Sequence, residues 1–268
     1  MTLPSVCAII CVRNEMAYLP SLIHFLSRQG VDIVLIDNSS DDGSLEFAQD
    51  HVGKGIYRLE YLPYTGEFSL EAQLQKKWEV ANEINHDWIL HQDADERLEA
   101  NGKAMTLRTL AGLAEAKNCN IVNFDEFVFL PEAGQDLSNN SSFLDLRRYY
   151  FFEPQKNRLM RLWRRRDQLD NRASGGHKLV GDLHILPQSH ILRHYITLGQ
   201  KHLEVKYLNR TFAPGDRKKG WHGNRVSLKR TDLSLDKIDE SCLSFLPSPD
   251  SRAFDRSRPY KTHFWQWS

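Results

Sequence analysis

The sequence has 268 residues, 41% hydrophobic and 26% charged, with 35 basic residues against 35 acidic ones. That is the make-up of a soluble α/β domain with a sizeable core, either alone or with an elaborated tail. A net charge of zero gives no ground for a nucleic-acid or membrane partner, and no run approaches the roughly 18 apolar residues of a membrane span.

Val6 to Val12 is a continuous apolar run and reads as a first, buried strand. Asn14 is placed to cap the following helix, in which Leu19, Leu22, Ile23 and Leu26 recur at helical spacing between Pro20 and Gly30. Ile33 to Ile36 is a second strand, running into the carboxylate-rich loop Asp37 to Ser44. Ile56 to Leu62 is a third. Ser69 caps a helix carrying Leu70, Leu74, Trp78, Ala81 and Ile84, and Trp88 to Leu90 is a fourth strand ending in His91-Gln92-Asp93-Ala94-Asp95-Glu96. Leu107 to Lys117 fits a helix, and Asn120 to Phe124 and Phe127 to Leu130 fit two strands. Glu132 to Ser142, with Gly134, Asn139 and Asn140, reads as a loop. Strands alternating with helices over short links argue for a mostly parallel sheet with helices on both faces.

Charge is unevenly spread. Val31 to Asp50 holds six acids and no Lys or Arg, whereas Lys201 to Arg230 holds nine Lys or Arg against Glu204 and Asp216. Cys7, Cys11, Cys119 and Cys242 form no C-x-x-C pair, which predicts buried free thiols and a cytoplasmic setting. No secretory leader is visible in Met1 to Ser5.

Acids at strand ends suit Mg²⁺ or Mn²⁺ and, through it, a phosphorylated ligand. Ligands of open parallel sheets bind beyond the carboxyl ends of the strands. Three such loops carry polar clusters: Arg13-Asn14-Glu15, Asp37-Asn38-Ser39-Ser40-Asp41-Asp42-Gly43-Ser44 and Asp93-Ala94-Asp95-Glu96. In order and separation they resemble family 2 glycosyltransferases of the GT-A fold, over about the first 100 residues. The second Asp common after strand two is Asn38 here, and no downstream Glu-Asp base motif is evident. The Gln-x-x-Arg-Trp signature of processive synthases is missing too, so the non-processive bacterial type is the better match.

The resemblance implies a GT-A domain over 1–225, with a nucleotide-binding half at 1–100 and an acceptor and metal-completing half at 101–225. A peripheral tail at 226–268 would pack by its aromatics. It further implies transfer of one sugar, with inversion, from a UDP- or GDP-sugar to a glycan or lipid-linked acceptor in surface glycan synthesis (lipopolysaccharide, capsule or exopolysaccharide), with at most peripheral membrane contact. Arg13, Glu15, Asp37, Asp42 and Asp93 would contact the donor nucleotide. Asp93 and Asp95, completed by His194 or His222, would hold Mn²⁺ or Mg²⁺. Lys201, Lys206, Arg210 and Arg217 would close over the diphosphate. Asp182, or else His177, would serve as the base that activates the acceptor. The rival readings are a degenerate GT-A binding module and a D-x-D phosphotransferase or phosphatase. In the latter the Asp pair would follow the first strand of the domain, whereas three strands precede it here.

Overall fold

The computed structural model describes residues 2–138, 141–208, 210–223 and 225–267. The N-terminal part runs β1 (Val6–Val12), α1 (Leu19–Arg28), β2 (Val31–Asp37), α2 (Ser44–Asp50), β3 (Arg58–Tyr61), α3 (Leu70–Glu83) and β4 (Trp88–His91). It is followed by β5 (Glu96–Glu99), α4 (Leu107–Ala116), β6 (Ile121–Phe129), β7 (Arg148–Phe152), β8 (Leu159–Arg164) and β9 (His190–His194). The last elements are α5 (Gln200–Leu208), α6 (Pro214–Lys218) and β10 (Ser244–Phe245).

The main sheet has the order β10-β7-β6-β8-β4-β1-β2-β3, with β9 linking β6 to β5. β3, β2, β1 and β4 are parallel. Outward from β4, each of β8, β6, β7 and β10 runs antiparallel to the strand it follows.

β1 is buried along its whole length because both its faces are covered. Its side chains alternate between the faces. Val6, Ala8, Ile10 and Val12 join the core under α1 and α4, while Cys7, Ile9 and Cys11 pack with Val80 of α3. All four cysteines are free. Asn14 does not cap α1: that helix starts four residues later behind Tyr18, and the Asn14 amide instead bonds Asp41 across the neighbouring loop, at 2.7 Å. The runs at 120–124 and 127–130 form one strand, because Asp125 and Glu126 between them continue the alternation of β6. The expected loop at 132–142 runs into a 3₁₀ turn over Ser141–Asp145, and Asn139 and Asn140 lie outside the described residues.

Residues 226–268 contribute the edge strand β10, a ring of Phe254 stacked on Phe127 at 4.0 Å, and the buried Phe264 and Trp265. No helix among the described residues is long and apolar enough to cross a membrane.

α3 is capped twice. Ser69 Oγ accepts from Ala72 N at 3.1 Å, and the wholly buried Asp216 of α6 accepts from Leu70 N at 2.6 Å and Glu71 N at 3.1 Å. A carboxylate at a helix N-terminus satisfies orphan N–H groups and meets the positive end of the helix dipole. Asp216 thereby ties the C-terminal half to α3. Asp216→Ala should lower stability in chemical denaturation by about 2–3 kcal/mol, against about 1 kcal/mol for Ser69→Ala. Equal losses would show that the buried cap adds nothing beyond the local one.

Candidate active site

β1, β2 and β4 are in register from Val6, Val31 and Trp88, so their carboxyl ends fall on one edge of the sheet. α1 carries the chain back over one face and α3 over the other. The crevice beyond β1 and β4 is therefore a topological switch point, where ligands of such sheets bind. A cleft of about 630 Å³ opens there.

Arg13, Glu15, Asp93, Asp95, His177, His194 and His222 line this cleft, together with Lys206 and Arg210. Asp37, Asp42 and Asp182 do not. Asp37 is buried at the end of β2, where its two carboxylate oxygens accept from Ser40 N at 3.3 and 3.2 Å. Asp42 accepts from Met16 N and Ser44 N, each at 3.0 Å. Both acids therefore brace the loops beside the cleft, and neither lines it. The Asp182 side chain is 89% exposed, stands 3.3 Å from His184 and is also outside the cleft, so the structure does not bring it together with the other expected site residues.

His177 is brought in by a turn that only glycine accommodates. Gly175 and Gly176 have φ of +65° and +84°, and a Cβ on Gly176 would lie 3.0 Å from the His91 ring. Burial and the neighbouring Arg158 and Arg161 push the His177 imidazole well below its usual range, so it is neutral.

Arg161 reaches the cleft through a β-bulge. Val122 of β6 pairs with Leu162 and Asn123 with Met160, leaving Arg161 as the extra residue on β8. Bulges re-aim side chains in this way. The Arg161 guanidinium is 3% exposed, 2.8 Å from Glu96 and 3.9 Å from Asp93. Lys77 of α3 approaches Asp93 at 3.3 Å. Burial alone would raise Asp93, but the Lys77 and Arg161 cations outweigh it and hold the carboxyl below its usual value.

A second chain of charges runs across the cleft floor. Arg158 pairs with Glu126 of β6, and Glu126 Oε1 lies 2.6 Å from His194 Nδ1. His194 Nε2 lies 3.2 Å from Asp95 Oδ2, which also takes Lys206 Nζ at 2.5 Å. The register places them: His194 sits opposite Glu96 on one side and Val128 on the other. With a carboxylate at each ring nitrogen, His194 is an imidazolium. Burial would lower its pKa, but Asp95 and Glu126 raise it well above the usual value. Asp95 is held well below the carboxylate range by Lys206 and His194 in spite of burial.

The Mn²⁺ or Mg²⁺ expectation can be weighed against these contacts. A divalent ion needs open carboxylate oxygens, and any imidazole that joins them must be unprotonated. Here Asp95 and Asp93 already face cations, and His194 has both nitrogens committed. His222 stacks on Phe212 at 4.6 Å and stands 3.5 Å from Asp216. Among the described residues no group of three His, Cys, Asp or Glu side chains is arranged to hold an ion. The four expected ligands therefore do not form a metal set in this arrangement.

Sequence reasoning missed Tyr64, whose ring lies 3.6 Å from the Arg13 guanidinium, and also Glu126, Arg158 and Arg161. One signal was available for the arginines. Arg158, Arg161 and Arg164 recur every third residue, a spacing that plain strand alternation does not give. Arg161 faces Glu96, and burial pushes that carboxyl up to about 7. Arg161→Met should therefore cost more stability in denaturant melts well above that pH than well below it, by about 1–3 kcal/mol, and an equal loss at both would mean that Glu96 does not ionise in the folded protein.

Fold and cleft together define an α/β protein with a charged ligand crevice at the switch point of its sheet. Residues 7–125, somewhat less than half of the chain, match the model described as Glycosyl transferase family 2. No curated protein matches the sequence. Among solved structures it is similar to S. aureus TarS, at 12% identity and a TM-score of 0.45, covering 85% of this chain and 44% of that one. It is also similar to TarS 1-349 in complex with UDP, at 12% identity and TM-score 0.45, covering 88% of this chain and 75% of that one. A third similarity is to glucosyl-3-phosphoglycerate synthase from Mycobacterium tuberculosis in complex with Mn2+, UDP and phosphoglyceric acid, at 18% identity and TM-score 0.32, covering 47% and 43% of the two chains. The chain thus spans less than half the length of TarS.

Proposed function

We propose that the cleft binds a nucleoside diphosphate sugar and transfers one sugar, with inversion, to an acceptor hydroxyl. The observation that carries this reading is the convergence of the Arg13–Glu15 and Asp93–Asp95 loops on one switch-point cleft within the segment matched to glycosyl transferase family 2. The nucleoside lies against Arg13 and Tyr64, and the diphosphate faces Lys206 and Arg210. Leaving-group departure builds charge on the diphosphate, and fixed cations in a shielded cleft stabilise that charge as it forms. His177, neutral and in the cleft, takes the proton of the attacking hydroxyl. Attack from the face opposite the diphosphate inverts the anomeric carbon. The acceptor class is a glycan or lipid-linked sugar of a surface polysaccharide, as the family resemblance implies.

Thermal shift with UDP, GDP and CMP tests the donor side. One nucleotide should stabilise the protein, by about 2.7 kcal/mol at a hundredfold excess over its Kd. No shift with any of them would remove the nucleotide reading. His177→Gln should keep that shift while transfer slows by roughly 10²–10⁴-fold. Unchanged transfer would take the base role away from His177.

A further inference from the structure

We propose that the ammonium of Lys206 supplies the positive charge over Asp95, so that this cleft binds its nucleoside diphosphate without a divalent cation. The inference rests on the nucleotide reading above and concerns what neutralises the diphosphate.

Three observations carry it. Lys206 is not a surface lysine that strays into the cleft. Its side chain is 11% exposed, its Nζ lies 2.5 Å from Asp95 Oδ2, and it also donates to Ile196 O at 3.3 Å, inside the turn that leads from β9 into α5. His194 Nε2, 3.2 Å from the same Asp95 oxygen, is backed by Glu126 on its other nitrogen and so approaches as a donor. A divalent ion at Asp95 Oδ2 would have to displace the Lys206 ammonium and take the proton from His194 Nε2, while His194 Nδ1 stays on Glu126.

The second observation is the balance of charge. Glu15, Asp93, Asp95, Glu96 and Glu126 line the cleft, against Arg13, Arg158, Arg161, Lys206, Arg210 and Arg225. The His194 imidazolium is a further cation, so the walls carry more positive than negative groups even with every one of these carboxylates ionised. That is the sign of charge a diphosphate needs.

Third, two of those cations are free to meet it. Arg210 lies over the Phe68 ring at 4.5 Å and Arg225 over the Tyr207 ring at 5.3 Å. Neither makes an ion pair with a carboxylate among the described residues, and Arg225 Nε has no hydrogen-bond partner there. Guanidinium groups held by aromatic faces keep their donors for phosphate oxygens.

Calorimetric titration of the full chain with UDP and with GDP, in EDTA and in Mn²⁺, decides the matter. For whichever nucleotide binds, Kd should agree within about twofold between the two buffers. Lys206→Met should weaken binding in EDTA by about tenfold or more, with part of the loss recovered in Mn²⁺ because Asp95 is then open; Lys206→Arg should keep binding in EDTA. Binding by the unaltered protein that needs Mn²⁺ overturns the proposal and leaves the nucleotide reading standing. Unweakened binding by a folded Lys206→Met also overturns it. No binding in either buffer removes the nucleotide reading, and this proposal with it. Should Lys206→Met fail to fold, the comparison of buffers with the unaltered protein still gives the answer.

Discussion

The buried line of charges Glu126, His194, Asp95 and Lys206 joins β6, β9, the loop after β4, and α5 at one point on the cleft floor. Each member is costly to bury alone, and together they hold one another charged. The parallel half of the sheet delivers Asp95. The register of β9 against both β5 and β6 delivers His194 between its two acids. Removing any one of the four strands another charge, so the geometry of the site and the integrity of the second half are coupled.

This coupling explains why the chain departs from plain alternation where it does. The bulge at Arg161 interrupts the β6–β8 ladder, yet it sends a guanidinium to Glu96 and Asp93 that a regular strand would aim at the opposite face. The Gly175-Gly176 turn, pressed against His91, brings His177 to the same cleft. Asp216, buried under the N-terminus of α3, holds the wall from which Lys77 projects. The Arg161 bulge, the Gly175-Gly176 turn and the line from Glu126 to Lys206 meet at one cavity.

The first 100 residues were legible because their information is local. A continuous apolar run means a strand covered on both faces, and the loop after it must lie at the strand end whatever the rest of the chain does. Arg13, Glu15, Asp93 and Asp95 could be placed from that rule alone. Asp37 and Asp42 show its limit, since a strand-end acid serves its own turn as readily as a ligand. The second half depends on strand register and a bulge, which composition does not carry. Asp182 looked well placed after Gly175-Gly176-His177, but the chain turns outward five residues past His177. Glu126 was hidden between two apolar runs that read as separate strands, and its value lies in partners 32 and 68 residues away.

The central claim is that the switch-point cleft between the Arg13–Glu15 loop and the Asp93–Asp95 loop is where a nucleoside diphosphate binds. A crystal structure of the protein soaked with the nucleotide that most stabilises it tests this directly. The account predicts the base beside Arg13 and Tyr64, with the diphosphate above Asp95 and within reach of Lys206 and Arg210. Nucleotide bound at another surface, with this cleft unchanged, would contradict it.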